Sequence, residues 1–326
     1  MPRILAFAAA IAVMLGQPVA AQEAGEAPAT SSQWITLGTD GGPIPKAARS
    51  QPANLLQVGG ENYLVDVGDG AVVQMARAGV PLLQLDGVFI SHLHFDHTGG
   101  LAAVLGLRFQ TDTPGVLTIY GPPGTRALVD GIVASMQPSA QAGYGIPGEQ
   151  VRDPAETVRV VEWRGGESVT VGAMHVRTAA NTHYSFTEDS PQFGQYFALS
   201  FRFDTPDRDI VYTGDTGPSP AVDALGAGAD LLVAEMIDVD ALLASMGPAR
   251  GDAGGGPPPL LIQHLRRHHL TPEDIGAMAA AMGVSQVVVT HLVIGNAGND
   301  ELLDYVARIR AAHPVPVVIA TDLARF

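Results

Sequence analysis

The chain of 326 residues contains no cysteine. Without thiols it cannot form a disulfide bond, and it cannot offer a thiolate to a metal ion. Any metal site must therefore be built from nitrogen and oxygen ligands. The absence of disulfides also fits an exported protein that does not depend on them.

Positive charge is scarce as well. Lys46 is the only lysine, and 18 basic side chains stand against 33 acidic ones. An acidic surface repels polyanions, so binding to nucleic acid independent of its sequence is not expected. We therefore predict a small-molecule substrate and no nucleic-acid partner. A single anionic group held by metal is compatible with this charge.

The chain also lacks an apolar run of membrane-spanning length. Residues 1–3 carry a positive charge, residues 4–15 are apolar but too short to span a bilayer, and small residues follow at Val19-Ala20-Ala21. This pattern is typical of a secretory signal peptide cut after about Ala21. We predict a signal peptide at residues 1–21, a disordered leader at residues 22–32, and a periplasmic or secreted protein free of the membrane after signal removal. An uncleaved N-terminal anchor is the alternative.

What the chain does contain is a dense group of metal-capable side chains, at His92, His94, Asp96 and His97. The group directly follows the apolar run Leu85–Ile90, which predicts a buried strand and places the group on a loop at the strand end. Side chains two apart on an extended backbone point the same way, so His92 and His94 can bind one ion together. Once the chain turns, Asp96 and His97 are free to face a second ion.

Apolar segments predict strands and helices that alternate along both halves of the chain. The predicted strands are 34–38, 54–58, 63–67, 85–90, 117–120, 157–163, 168–171, 175–179, 195–203, 209–212, 231–234, 286–290 and 315–320. The predicted helices are 71–78, 101–105, 126–136, 219–225, 238–245, 271–282 and 300–312, with an irregular segment at 138–150 and a Gly/Pro linker at 247–259. Two such halves predict an α/β fold of two sheets packed face to face with helices outside.

Three further metal-capable residues, His183, Asp215 and His291, each follow an apolar strand. Loops beyond strand ends gather at one edge of an α/β sheet, and a dinuclear site needs about seven protein ligands. We therefore predict that these three residues complete the site. The alternative is a capping aspartate and hydrogen-bonded histidines. Asp66 and Asp69, which flank Gly68 at another strand end, are either partners of a metal-bound histidine or helix caps.

His92-Leu93-His94-Phe95-Asp96-His97, followed in order by His183, Asp215 and His291, resembles the metal motifs of the metallo-β-lactamase superfamily. The resemblance runs from about Trp34 to Phe326 and implies an αββα sandwich of two mixed β-sheets flanked by helices, which we assign to residues 33–326. It implies one ion on His92, His94 and His183. It implies a second ion on Asp96, His97 and His291, with Asp215 bridging both. We expect two Zn²⁺, with Mn²⁺ or Fe²⁺ as alternatives.

A finer resemblance is to ribonuclease Z-like phosphodiesterases and related arylsulfatases, carried by Gly38–Pro43, Gly214-Asp215-Thr216, Glu235 and His269-Leu270-Thr271-Pro272. It implies that His269 reaches the leaving or anionic oxygen of the substrate, with Glu235 as its partner, although His269 also simply precedes a helix start. We predict that His264 and His268 are solvated. The chain has no lysine-rich insertion like the basic arm with which ribonuclease Z holds tRNA. Relatives in this branch are often dimers, so a homodimer is expected as well.

These observations predict a dinuclear metal-dependent hydrolase of small phosphate or sulfate esters. A metal-bridging hydroxide would attack the ester. Asp96 would steer it, and His269 would protonate the leaving oxygen. The alternatives are a lactonase or β-lactamase-like hydrolase of cyclic acyl substrates on the same metals, and a metal-binding protein without catalysis.

Overall fold

The computed structural model describes residues 31–246 and 257–326. The predicted signal peptide, residues 22–30 of the predicted leader and residues 247–256 of the predicted linker lie outside the described residues. Among the helices of the described part, none is long and apolar enough to cross a membrane.

Within the described residues, strands and helices alternate as the apolar pattern predicts. The strands are β1 Gln33–Gly38, β2 Ala53–Val58, β3 Glu61–Val67, β4 Gly87–Phe89, β5 Leu117–Gly121, β6 Val158–Glu162, β7 Ser168–Val171, β8 Met174–Ala180, β9 Leu199–Asp204, β10 Asp209–Tyr212, β11 Leu231–Ile237, β12 Gln286–Val293, β13 Val317–Ile319 and β14 Ala324–Arg325. The α-helices are α1 Ala71–Arg77, α2 Phe95–Thr98, α3 Leu101–Gln110, α4 Thr125–Ala142, α5 Pro220–Gly226, α6 Val239–Ser245, α7 Pro259–Arg267, α8 Pro272–Met282 and α9 Asn299–Ala312.

The strands form two seven-stranded sheets, the first from β1 to β6 with β14 added and the second from β7 to β13. The first has the order β14-β1-β2-β3-β4-β5-β6 and the second the order β13-β12-β11-β10-β9-β8-β7. Each sheet is mixed: β1 to β3 and β7 to β10 pair antiparallel, whereas β3 to β6 and β10 to β13 pair in parallel. The antiparallel part of the first sheet contains a two-residue turn at Gly59-Gly60, where both residues have positive φ, as a tight hairpin turn requires.

The two sheets face each other across an aromatic core. Successive residues of a strand point to opposite faces, so Leu56 lies in this core, whereas its neighbour Leu55 packs under the outer helices. In the middle, the rings of Phe89 and Phe203 meet edge to face with centroids 5.2 Å apart. Helices α1, α3 and α4 cover the outer face of the first sheet, and α5, α8 and α9 cover that of the second. The predicted αββα sandwich is confirmed.

The structure differs from the sequence-based elements in four places. Helix α4 continues through Pro138 to Ala142, in the segment predicted to be irregular, because Met136 and Ala140 on its inner face are buried. Residues 195–198 lie outside strand β9. Helix α7, which was not predicted, occupies residues 259–267. Finally, β14 returns the C-terminal end to the first sheet and pairs with β1.

Candidate metal centre

The motif that follows β4 turns sharply through a one-turn helix. Its residues up to His94 are extended, and α2 then carries Asp96 and His97, so the two pairs of side chains leave the backbone in different directions. After this helix, the backbone of Gly100 lies close to that of Gly68, and a Cβ added to Gly100 would be 2.4 Å from the Gly68 carbonyl oxygen. The predicted loop is thus partly helical, and a glycine allows it to pack against β3.

A first group of ligand atoms comes from His92, His94 and His183. His94 Nδ1 lies 3.0 Å from His92 Nε2 and 3.1 Å from His183 Nε2. Burial lowers the pKa of all three imidazoles, most strongly for His92 and His183. A neutral imidazole has the free lone pair that a metal ion needs.

A second group comes from Asp96, His97 and His291. His97 Nε2 and His291 Nε2 each lie 3.6 Å from Asp96 Oδ2. Asp215 stands between the groups: its Oδ1 is 3.3 Å from His97 Nε2, and its Oδ2 is 3.3 Å from His291 Nε2 and 3.9 Å from His92 Nε2. One carboxylate therefore faces both sets of imidazoles.

The second group has the opposite electrostatic character to the first. Burial alone would lower the pKa of His97 and His291, but the negative charge of Asp215 and its neighbours outweighs burial and raises the pKa of His291 to about 9 and that of His97 well above its usual value. Burial would raise the pKa of Asp215, yet the nearby His291 and His97 hold it well below its ordinary range. This half of the site therefore favours positive charge between its carboxylates.

The donor set fits a pair of divalent cations. Four buried atoms that point into the site have no hydrogen-bond partner among the described residues: His97 Nε2, Asp215 Oδ1, His291 Nδ1 and His291 Nε2. Buried polar atoms are rarely left unpaired without a ligand or a functional reason. Several triads of these side chains bring their ligand atoms within 4.8 Å of one another. Nitrogen and carboxylate oxygen ligands suit Zn²⁺, Mn²⁺ and Fe²⁺.

Two of the side chains at the centre depend on β-bulges. Asp66 interrupts the register between β2 and β3, and His291 interrupts that between β11 and β12. Both residues have positive φ, 59° for Asp66 and 46° for His291. A bulge re-aims a side chain that regular pleating would point elsewhere. His291 was predicted to follow its strand, whereas it lies within β12 as the bulged residue.

Asp66 is the partner of a site histidine and not a helix cap. Its Oδ2 accepts hydrogen bonds from His97 Nδ1 at 2.8 Å, from the Tyr212 hydroxyl at 2.8 Å and from the Ser91 hydroxyl at 2.7 Å. Its Oδ1 accepts from the Ser91 backbone N–H at 2.7 Å. The bond to Nδ1 fixes the His97 ring so that Nε2 faces the site.

Glu235 and His269 form a second buried pair beside the centre. His269 Nδ1 lies 2.9 Å from Glu235 Oε2, and the Thr216 backbone N–H donates to Glu235 Oε1 at 2.8 Å. Burial would lower the pKa of His269, but Glu235 outweighs it and raises that pKa. His269 Nδ1 is also 3.9 Å from Asp215 Oδ2. The predicted pair is thus in place next to the residue that faces both groups of imidazoles.

The site opens into a cavity of about 300 Å³ whose lining includes His269, His291, Asp96 and His264. The prediction that His264 and His268 are solvated is wrong. Helix α7 packs over the site, and the His264 ring lies 4.9 Å from that of His183 between centroids. The backbone carbonyl of His268 lies 3.1 Å from His183 Nδ1. The spacing of four between these two histidines on one helix face was the available signal.

Tyr184 is a further neighbour that the sequence reasoning did not single out. Its ring lies 5.6 Å from that of His94 and 5.2 Å from that of His183. Its position directly after His183 was the only sequence signal.

A profile of the beta-lactamase superfamily domain matches residues 61–292. Ribonuclease Z of Mycobacterium sp. (strain KMS) is 31% identical over 293 residues, which cover 89% of this chain and 94% of that protein. The metallo-β-lactamase fold protein YhfI from Bacillus subtilis superposes with a TM-score of 0.64 at 18% identity, covering 91% of this chain and 99% of that chain. The short form of human tRNase Z superposes with a TM-score of 0.59 at 20% identity, covering 90% and 98%.

These likenesses correct one prediction. The two solved structures share the fold at low identity, whereas the mycobacterial protein is similar in sequence over nearly its whole length and is a ribonuclease. Our prediction of no nucleic-acid partner is therefore wrong. It was drawn from the net charge of −15, which describes the whole chain and not the local charge at a site whose side chains could hold cations.

Proposed function

We propose that this chain is a phosphodiesterase. The chain belongs to the metallo-β-lactamase superfamily and is related to ribonuclease Z, and it is a metal-dependent hydrolase. The observation that carries the proposal is the position of Asp215. Its Oδ2 lies 3.9 Å from His92 Nε2 of the first group and 3.3 Å from His291 Nε2 of the second, so it stands between the two groups of ligand atoms. A two-cation site is suited to in-line displacement at phosphorus, because both the attacking and the leaving oxygen need charge compensation.

The ligand assignment is part of this proposal. His92, His94 and His183 would hold one cation, Asp96, His97 and His291 the other, and Asp215 both. We propose Zn²⁺ as the resident ion, with Mn²⁺ or Fe²⁺ as alternatives that the same ligands accept. When bound, such cations lower the pKa of water and offset the negative charge of a phosphoryl group.

The residues around the cations have separate tasks. Asp66 holds the His97 ring in one tautomer, since its carboxylate accepts from Nδ1. Glu235 does the same for His269 and leaves His269 Nε2 as the atom that can give a proton to the leaving oxygen. Asp96, which lines the cavity, is placed to orient the attacking water.

The substrate within this class is also a proposal. Small phosphate or sulfate esters match the cavity of about 300 Å³, which is the size of a small-ligand pocket. The relationship to ribonuclease Z adds RNA to the substrates that must be tested.

The test is a substrate panel on the purified chain with metal content measured on the same sample. The panel contains an aryl phosphodiester, an aryl sulfate, an RNA oligonucleotide, a lactone and a cephalosporin. We expect about two metal ions per chain and turnover of the phosphodiester. Asp215→Asn should abolish both turnover and the full metal content, whereas Asp69→Asn, an exposed carboxylate close to the site in sequence, should change neither. Turnover of the lactone or cephalosporin alone would overturn the proposal.

We also propose that the protein is exported to the periplasm or beyond. Support comes only from the positive start, short apolar run and small residues of the first 21 positions. N-terminal sequencing of the protein from the cell envelope or medium tests this, and an intact Met1 in a cytosolic fraction would refute it.

A further inference from the structure

The loop between β8 and β9 carries His183 and, after it, an unusual share of the aromatic residues of the chain. Of 10 phenylalanines and 7 tyrosines in the chain, five lie here: Tyr184, Phe186, Phe193, Tyr196 and Phe197. Three of them are exposed, Phe186 by 37%, Tyr196 by 46% and Phe193 by 51%. A contiguous patch of exposed apolar side chains is typical of a binding surface, whereas single exposed apolar residues are ordinary.

These aromatic side chains line a cleft of about 330 Å³. The ring centroids of Tyr184 and Phe186 are 5.5 Å apart, and those of Phe186 and Tyr196 are 6.4 Å apart. The small side chains of Ala180 and Ala198 also belong to its lining, beside the rings. A cleft bounded by aromatic rings suits a planar aromatic ligand.

The cleft is adjacent to the metal centre, because Tyr184 lines the cleft and lies beside two of the site histidines. The centroid of the Tyr184 ring lies 5.6 Å from that of His94, 5.2 Å from that of His183 and 5.5 Å from that of Phe186. A group bound against Phe186 therefore sits one side chain away from the first group of ligand atoms. A phosphodiester whose phosphorus lies at the centre can extend one of its two ester substituents into this cleft.

A positive charge lies at the same cleft. The Arg164 guanidinium stacks on the Phe197 ring at 5.3 Å and donates a hydrogen bond to the Gly194 carbonyl oxygen at 2.8 Å. Phe197 and Gly194 both line the cleft. In a chain with a net charge of −15, this local arginine complements the negative charge of a nucleotide backbone.

We propose that this aromatic cleft, formed by Tyr184, Phe186, Phe193, Tyr196 and Phe197, binds one nucleobase of the phosphodiester substrate by stacking. The inference rests on the proposed function and specifies its substrate as a nucleotide ester. Every base has a π-face, so stacking on exposed aromatic rings tolerates different base sequences. The cleft therefore recognises a base without selecting among bases.

The experiment compares two esters with the same leaving group, the p-nitrophenyl ester of thymidine 5′-monophosphate and methyl p-nitrophenyl phosphate. Phe186→Ala should raise KM for the thymidine ester about 5- to 150-fold, the equivalent of losing one base–aromatic stack, and leave kcat unchanged. KM for the methyl ester should stay the same. Phe186→Tyr should restore the wild-type KM, whereas Phe186→Leu, which keeps apolar bulk without a ring, should not. Tyr144→Ala, which removes a ring exposed by 63% outside the cleft, is the matched control and should have no effect.

A binding measurement without turnover separates this inference from the proposed function. Saturation-transfer NMR with adenosine should show that the adenine ring contacts the wild-type protein and that this contact is lost in Phe186→Ala. Ribose, which has no base, is the control ligand. Adenosine binding lost in Phe186→Ala supports the cleft even if no phosphodiester is cleaved. If Phe186→Ala cleaves the phosphodiester with an unchanged KM and still binds adenosine, the cleft does not bind the base. The proposed function would then stand without it. If Phe186→Ala raised KM for bis(p-nitrophenyl) phosphate but not for the thymidine ester, the cleft would bind a simple aryl ring, and the nucleobase proposal would be overturned.

Discussion

The two sheets each place a buried carboxylate behind the metal centre, Asp66 from the first and Glu235 from the second. Asp66 accepts four hydrogen bonds, from the backbone and hydroxyl of Ser91, from Tyr212 and from His97. Glu235 accepts bonds from Thr216 and His269. The two carboxylates are equally buried, at 0% and 1% exposure, but they hold histidines of different kinds.

The same arrangement, a buried carboxylate bonded to a histidine, therefore occurs twice in one site, once at the metal-binding group and once at the cavity. His97, held by Asp66, directs Nε2 at Asp96 and Asp215, where a cation would lie. His269, held by Glu235, lines the cavity beside the centre. In our proposal, Asp66 acts on the affinity for metal through His97, whereas Glu235 acts on the rate of proton transfer through His269. The mutations below test whether metal binding and catalysis separate in this way.

The largest expected effect is on catalysis through His269. His269→Ala should lower kcat for a phosphodiester by about 10²- to 10⁴-fold, since it removes the group that we propose protonates the leaving oxygen. Metal content, measured by mass spectrometry, should stay at the wild-type value. His175→Ala, a histidine on β8 that bonds Ser168 outside the cavity, is the control and should leave kcat unchanged. Loss of metal in His269→Ala would show that the Glu235–His269 pair also contributes to metal binding, so that metal binding and catalysis are not separate.

A smaller effect is expected on metal affinity through Asp66. Asp66→Asn should weaken metal binding by about 10- to 100-fold, because an amide oxygen is a poorer partner for His97 Nδ1–H than a carboxylate. Competition with a chromogenic chelator measures this affinity directly. Asp69→Asn, three residues further along and exposed, should bind metal as wild type does. An unchanged affinity in Asp66→Asn would contradict the role assigned to Asp66.

The smallest effect is expected on stability through Tyr212. Tyr212→Phe removes one of the donors to Asp66 and keeps the buried ring, so the free energy of unfolding should fall by about 1 kcal/mol. Denaturant unfolding of the metal-free protein measures it. Tyr305→Phe, which removes a hydroxyl bonded to the half-buried Asp238, offers a comparison in a less buried setting and should cost less. A loss for Tyr212→Phe of several kcal/mol would mean that the Asp66 network behaves as one cooperative unit.

Much of the fold follows from the spacing of apolar residues. In β3, the alternation of Leu64 and Val65 between two cores is the period of two that predicts a strand buried on both faces. Helix α8 starts where Thr271 and Pro272 predict it, because a threonine cap and a proline at the first position are local signals. Such elements depend on neighbours within a few residues, so a single sequence is enough to find them.

The parts that were missed depend on contacts between distant segments. Helix α7 brings His264 to 4.9 Å from His183 between ring centroids, although the two residues are 81 positions apart in the sequence. The β-bulges at Asp66 and His291 need a partner strand, since a bulge is a mismatch between two strands and not a property of one. The aromatic cleft is different, because all of its lining comes from one segment, residues 180–198, whose loop conformation has no periodic signal.

By itself, the amino-acid sequence determined the kind of ligand this protein can offer, nitrogen and oxygen without sulfur, and the order of strands and helices that carries those ligands. Only the tertiary structure decided which of the ten histidines face one another, which carboxylate lies between them and where an aromatic group of a substrate can rest. The physical reason is that ligand identity and local periodicity are properties of short stretches of chain. Distances of a few ångströms between residues more than a hundred positions apart are set by how two sheets pack.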